Sequence, residues 1–168
     1  MLDRISRRTQ RHRGAAILAI AFLLAVTGSA CQHSRRAESP SQHDLSVDEA
    51  NGGHTLARHV GKTDEELQER LRLEPNISSA STYTDRAAAE AVVGAALSSA
   101  PPSFNAWLNR TGRRPNFVLR FAAHHPIGRS LARGRTEARP CEDALIVVRW
   151  DERLGKSYVL TSYPEAHR

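Results

Sequence analysis

The apolar residues of this 168-residue chain change their period part-way along, and that change decides its fold class. Between His54 and Gly112 they recur at helical spacing, whereas from Asn116 onward they fall in short runs bounded by turn residues. Helices first and strands later is an α+β order, N-terminal helices followed by an antiparallel sheet. His54–Val60 is predicted to be a short helix closed by Gly61. Thr63, with Glu66 three residues on, offers a capping box for the next helix. Leu67 and Leu71 form its apolar stripe, and it stops at Glu74-Pro75. Ser78–Tyr83 reads as a loop or short edge strand. A further helix runs from Asp85 to Ser98, capped by Thr84 or Asp85, with Val92, Val93, Ala96 and Leu97 on its buried face. Pro101-Pro102 breaks the chain before a last helix through Trp107 and Leu108. Asn116–Phe121 and Gly128–Ala132 read as strands joined by His124-His125-Pro126-Ile127. Ala144–Trp150 and Ser157–Tyr163 read as a hairpin around Asp151–Gly155.

The formal net charge of +6 is a local property. Residues 1–31 carry five arginines against Asp3 alone, so the remainder is near neutral. Bulk charge is therefore no argument for nucleic-acid binding, and only local placement of cations counts. Residues 1–30 read as an export signal of lipoprotein type. A basic stretch through Arg13 precedes an apolar run, Ala15–Val26, that is short of the roughly 20 residues of a membrane span. Gly28-Ser29-Ala30 then offers small residues for cleavage. An uncleaved anchor is the alternative. Cys31 stands where a lipoprotein carries its lipid, although Gly28 occupies a position usually given to Leu. Ser6-Arg7-Arg8 lacks the apolar follower of a twin-arginine signal. Residues 31–50 are polar and aperiodic and are expected to be a flexible linker, with the domain beginning near Leu45 and Asn51-Gly52-Gly53 as a turn. The domain is placed at residues 51–168. Cys141 is the only other cysteine. It has no intramolecular partner if Cys31 is lipidated, and can pair with Cys31 in an oxidising compartment if it is not. In either case apolar packing must build the core.

Two distant segments carry the chemistry. His54 to Thr63 supplies His54 and His59 and is followed by a helix holding Arg70. Tyr158 to Pro164 puts Thr161 and Tyr163 two apart in a strand, so both project from one face. RNA brings its own nucleophile, the 2′-hydroxyl. Cleavage then needs a base, an acid for the departing 5′-oxygen and cations for the phosphorane charge. Histidine titrates near neutrality and can be acid or base. Arg70 can grip phosphate bidentately. Thr161 and Tyr163 can donate to phosphate oxygens or orient the base. The second proton carrier is open between Tyr163 and His54. Ordinary roles compete: an exposed histidine is usually a surface residue, Arg70 can pair with Glu66 at i,i+4, and Thr161 and Tyr163 are good strand formers. His124-His125 match no metal-ligand spacing, so neither metal nor cofactor is expected. Arg129, Arg133 and Arg135 read either as a basic rim for the RNA backbone or as protective charge on a strand edge. Trp107 and Trp150 read as core.

Four segments in this order, residues 54–63, 77–86, 128–134 and 158–164, resemble one family. It is the bacterial ribonuclease A-like toxin domain found at the C-terminal tips of contact-dependent growth inhibition adhesins and other secreted toxins. The resemblance spans roughly Gly52 to Pro164. It implies a disulfide-free relative of pancreatic ribonuclease with two lobes around a central cleft. It also implies a metal-independent endoribonuclease site of one histidine, one arginine, a threonine and a tyrosine. Carried over, these are His59, Arg70, Thr161 and Tyr163, with His54 the alternative imidazole. The implied reaction cuts single-stranded RNA through a 2′,3′-cyclic phosphate, and the implied partner is an immunity or inhibitor protein. The chain is short and carries its own signal, so a free-standing exported RNase stands beside the toxin. Such a monomer would be secreted, periplasmic or membrane-attached through lipidated Cys31. The rival class is a catalytically silent lipoprotein binding module on the same fold.

Overall fold

The computed structural model of the chain describes residues 43–166. The signal segment, Cys31 and most of the expected linker lie outside the described residues. The linker does not extend to residue 50, because Leu45–Ala50 is a helix, α1. Asp44 caps it by accepting from Ser46 N, and Leu45 is fully buried in the main core. Within this single polar turn and a half only Leu45 and Asp48 face inward, too few to leave a periodic stripe in the sequence.

α2 is Thr55–His59, and Gly61 follows it at φ +64, a left-handed conformation that favours glycine. α3 is Asp64–Leu73. Its capping box is formed as expected: Thr63 Oγ1 accepts from Glu66 N, and the Glu66 carboxylate accepts from Thr63 N. β1 is Ser79–Tyr83, α4 is Arg86–Ser98 capped by Asp85, and α5 is Pro102–Leu108. Pro102 opens that helix, where its missing N–H leaves no bond unmade. The strands are β2 Phe117–Ala122, β3 Gly128–Ala132, β4 Arg139–Cys141, β5 Asp143–Asp151 and β6 Lys156–Glu165. The chain is α+β.

The strands form two antiparallel sheets, ordered β1-β3-β4 and β2-β5-β6. β2 and β3 therefore do not pair, although the sequence joins them by a short turn. The connection crosses between sheets: Ala123 N bonds Glu142 O, and Ile127 N bonds Cys141 O. β4 went unseen in the sequence because it is three residues long and contains Pro140. Only Glu142 separates it from β5, so this chain too passes directly from one sheet to the other. In β6 the register jumps, with Val147 opposite Thr161 and Val148 opposite Val159, leaving Leu160 as the bulged residue.

Each sheet has its own core. α4 and α5 lay Val92, Val93, Ala96, Phe104 and Trp107 on Leu119, Ile146, Val148 and Val159 of the β2-β5-β6 sheet. Leu67 and Leu71 of α3 cover Ala80 and Leu131 of the other. At Gly128 a Cβ would lie 2.2 Å from Thr82 O and 2.8 Å from Pro164 Cγ, so only glycine lets β1, β3 and β6 converge.

Candidate active site

Both sheets have a free edge, at β6 and at β1, and buried edges must satisfy their polar backbone groups. One segment does this for both. On β6, Leu160 O accepts from His54 N at 3.0 Å, Ser162 N donates to Thr55 Oγ1 at 2.8 Å, and Val159 N donates to Asp48 Oδ1 at 2.8 Å. On β1, Tyr83 O accepts from Gly61 N at 3.1 Å, and Lys62 N donates to Thr82 Oγ1 at 2.9 Å. His59 Nδ1 lies 3.3 Å from Ser81 O on that same edge. The histidine-bearing stretch therefore lies across two sheets, and its position is fixed by backbone pairing.

A cleft of about 470 Å³ opens there, and His54, His59, Arg70, Thr161 and Tyr163 all line it. The five residues singled out in the sequence are thus brought together. The His59 and Tyr163 rings are stacked with centroids 5.2 Å apart, and His54 lies 6.5 Å from His59. Arg70 Nη1 is 3.4 Å from His59 Nδ1 and 3.5 Å from Arg58 O. The carboxylate partner of Arg70 is Glu74, at 3.4 Å from Nε. It is not Glu66, which the capping box and Lys62 engage. Glu74 also accepts from Arg58, so one carboxylate holds two guanidinium groups at the cleft. Arg58 and Glu74 were not read from the sequence, although adjacency to His59 and an i,i+4 relation to Arg70 were visible. Thr161 Oγ1 is buried and meets no hydrogen-bond partner among the described residues.

Electrostatics set the protonation. His59 is driven down to about 3, first by burial and then by the Arg70 charge. His54 also lies below the usual histidine value, through burial first and the Arg58 charge second. Tyr163 is raised, by burial and then by Glu165. At neutral pH the cleft holds two neutral imidazoles, a protonated phenol and fixed guanidinium charge.

Arg129, Arg133 and Arg135 lie elsewhere, and none lines this cleft. Arg129 donates to Asp64 at 2.7 Å and to Lys62 O at 2.8 Å. Arg133 donates to Glu74 O and Ile77 O. Arg129 of β3 and Arg133 just past its end tie this segment to the ends of α3 and its neighbouring loop, while Arg135 is exposed. Among the described residues no three His, Cys, Asp or Glu side chains gather closely enough to hold a metal ion. His125 Nδ1 is 2.7 Å from Ala123 O. Among the described residues Cys141 has no disulfide partner; it is buried, its thiol pushed up to about 11 chiefly by burial, which leaves it unreactive near neutrality.

The family model for the bacterial CdiA-CT RNase A domain matches residues 53–164. This chain belongs to the bacterial CdiA-CT RNase A family. The family's matched span contains His54, His59, Arg70, Thr161 and Tyr163 and begins after α1. The CdiA-CT RNase A assignment agrees with a solved structure, that of a CdiA-CT/CdiI complex from Y. kristensenii 33638. A chain of that structure is 33% identical, with a TM-score of 0.59, covering 67% of this chain and 99% of its own length. No curated protein matches the chain. The fold is accordingly RNase A-like, as the sequence resemblance implied.

Proposed function

We propose that this chain is a metal-independent endoribonuclease that cleaves single-stranded RNA by transphosphorylation, acting as an exported toxin with a cognate immunity protein. The observation that carries the reading is the contact of neutral His59 with both the Arg70 guanidinium and the protonated Tyr163 ring, in a cleft that also holds Thr161. His59 Nδ1 faces Ser81 O, which only accepts, and Arg70 Nη1, which only donates; in the tautomer that bonds Ser81 O the proton sits on Nδ1 and Nε2 keeps its lone pair. That nitrogen takes the 2′-hydroxyl proton as the 2′-oxygen bonds to phosphorus. Arg70 and the Thr161 hydroxyl donate to the non-bridging oxygens as charge builds there. The P–O5′ bond breaks, and the departing 5′-oxygen takes the Tyr163 proton, since an alkoxide is far more basic than a phenolate. His59 then returns its proton to the tyrosinate.

The similar structure from Y. kristensenii joins CdiA-CT with CdiI, which supports a protein partner for this chain. The basic and apolar segment of residues 1–30 supports export, with Cys31 as the point of lipid attachment. The decisive experiment incubates the purified protein with single-stranded RNA in excess EDTA. Products ending in a 2′,3′-cyclic phosphate are expected, and a His59→Ala control should yield none. Activity that vanishes on chelation and returns with a divalent ion would overturn the reading.

A further inference from the structure

We propose that the open face of the β2-β5-β6 sheet carries the RNA strand away from the cleft, with Arg149 and Arg113 as its phosphate contacts. This rests on the nuclease reading for its substrate, but the surface is separate from the catalytic cleft. Opposite residues of an antiparallel pair share a face, so the register maps this surface in rows. The first row is Arg120, Leu145 and Tyr163, and the next is Val118, Val147 and Thr161. The row after that contains Arg149 opposite Tyr158, which is buried, so the accessible side of the row is Arg149 with Asn116, whose Oδ1 accepts from Arg149 Nε at 3.3 Å. Arg149 thus lies two residues along β5 from the Thr161 row, roughly 7 Å, on the face that bears the site hydroxyls. That is about one nucleotide step along an extended strand. Its charge is felt at His54, where it helps to hold the imidazole neutral.

Three features suit this face to RNA. Val118 is 50% exposed next to Val147, which offers bases an apolar rest without hydrogen-bond readout. Beyond Arg149 the face ends in a hollow of about 720 Å³ that Arg113, Arg114 and Glu152 also line. Arg114 belongs to the fold: it sits 3.7 Å over the Trp150 ring, donates to Trp107 O and Leu108 O, and lies 4.0 Å from Glu152. Among the described residues no carboxylate lies within ion-pair reach of Arg113 or Arg149, whereas Arg70, Arg120 and Arg129 each face one. In a body that is near neutral, two uncompensated guanidinium groups at the end of a face leading from the site are a local electrostatic footprint for a polyanion.

The test uses the full chain carrying His59→Ala, so that a fluorescently labelled twelve-nucleotide single-stranded RNA stays intact, with binding read by anisotropy over a salt series. Adding Arg113→Ala and Arg149→Ala should weaken binding roughly three- to tenfold per arginine and reduce the log–log salt slope by about 0.7 to 1 for each. With His59 restored, the double variant should lose at least several-fold more kcat/KM on the twelve-mer than on a dinucleoside monophosphate. Equal losses on both substrates, or an unchanged salt slope, would overturn the track. So would unchanged RNA binding with loss of polyglutamate binding, which would make the face a site for an acidic protein. Failure of the parent enzyme to cut either RNA would refute the nuclease reading alone, because the anisotropy arm reads the track without catalysis.

Discussion

Arg70 holds its guanidinium 3.4 Å from Nδ1 of His59, so a permanent cation presses on the imidazole that would take a proton in the proposed reaction. Burial first and this contact second suppress protonation in the free protein, and in the proposed reaction an incoming phosphate would offset the cation. The contact ties charge stabilisation and base strength to one pair of side chains.

Arg70→Ala is expected to lower kcat about 10²–10³-fold, roughly 3–4 kcal/mol of transition-state stabilisation. Arg70→Lys should be nearly as damaging, because an ammonium cannot form two parallel hydrogen bonds to phosphate. Arg135→Ala, on an exposed residue outside the cleft, should be mild. Each variant needs unchanged melting behaviour for the comparison. A folded Arg70→Ala enzyme with wild-type kcat would make Arg70 a helix-surface partner of Glu74 only.

The acid limb of kcat/KM reports the free enzyme's base and should lie well below the ordinary histidine value of 6.5. Stability follows the same group. The folded pKa of His59 is below its unfolded value, so between about 3 and 6.5 the unfolded chain binds a proton that the folded chain refuses. Keeping His59 neutral carries no penalty above that window, and stability falls as pH drops through it. His43, raised chiefly by its hydrogen bond to Asp48, works in the opposite sense: its contribution is present at low pH and is lost as pH rises through the raised value. His59→Gln should therefore lose less melting temperature between pH 7 and pH 4 than the wild type does. An equal loss in both proteins would mean that other groups set the acid sensitivity.

Thr161 should trade stability against rate. Its buried hydroxyl meets no partner among the described residues, so Thr161→Val removes an uncompensated polar group and is expected to add about 1 kcal/mol, a few degrees in Tm. The same change should reduce kcat at least tenfold, whereas Thr161→Ser keeps the donor and most of the rate. Calorimetry and steady-state kinetics on the two variants separate these effects. A Val variant with full activity would remove Thr161 from the mechanism.

Thr55→Val is the structural counterpart. It deprives the buried Ser162 amide of its acceptor and should cost about 1–3 kcal/mol in denaturant unfolding. Unchanged stability would show that the β6 edge does not depend on this hydroxyl.

Processing is expected before Cys31. Intact-mass analysis of protein from the membrane fraction should show loss of residues 1–30 and added lipid. Recovery of the full-length chain from the cytoplasm would refute export.

The legible parts of this fold are those whose partners lie close in sequence. The capping box joins Thr63 to Glu66 three residues away, and the β5–β6 hairpin closes over a short turn, so both could be read directly. α1 could not, because its anchors come from afar: Leu45 N donates to Glu90 and Asp48 receives the Val159 amide, with separations of 45 and 111 residues. The division into two sheets was hidden for a similar reason, since the turn between β2 and β3 gives no sign that the chain leaves one sheet for another. At the site, residue types and the Thr161–Tyr163 spacing point to five side chains that the fold gathers in one cleft. The partner of Arg70 was misjudged because Glu66 and Glu74 are both four residues away, and only the fold shows that the first is engaged at the helix N-terminus.

Sealing a strand edge is normally a passive duty, given to a loop whose only task is to keep other chains out. Here the seal for both sheets is residues 54–62, the stretch that also carries the imidazoles. Damage to it would expose two adhesive edges at the moment the chemistry is lost. Substitutions that break this pairing would then register as aggregation, whereas soluble inactive variants should be found among side chains that leave it intact, His59, Arg70, Thr161 and Tyr163.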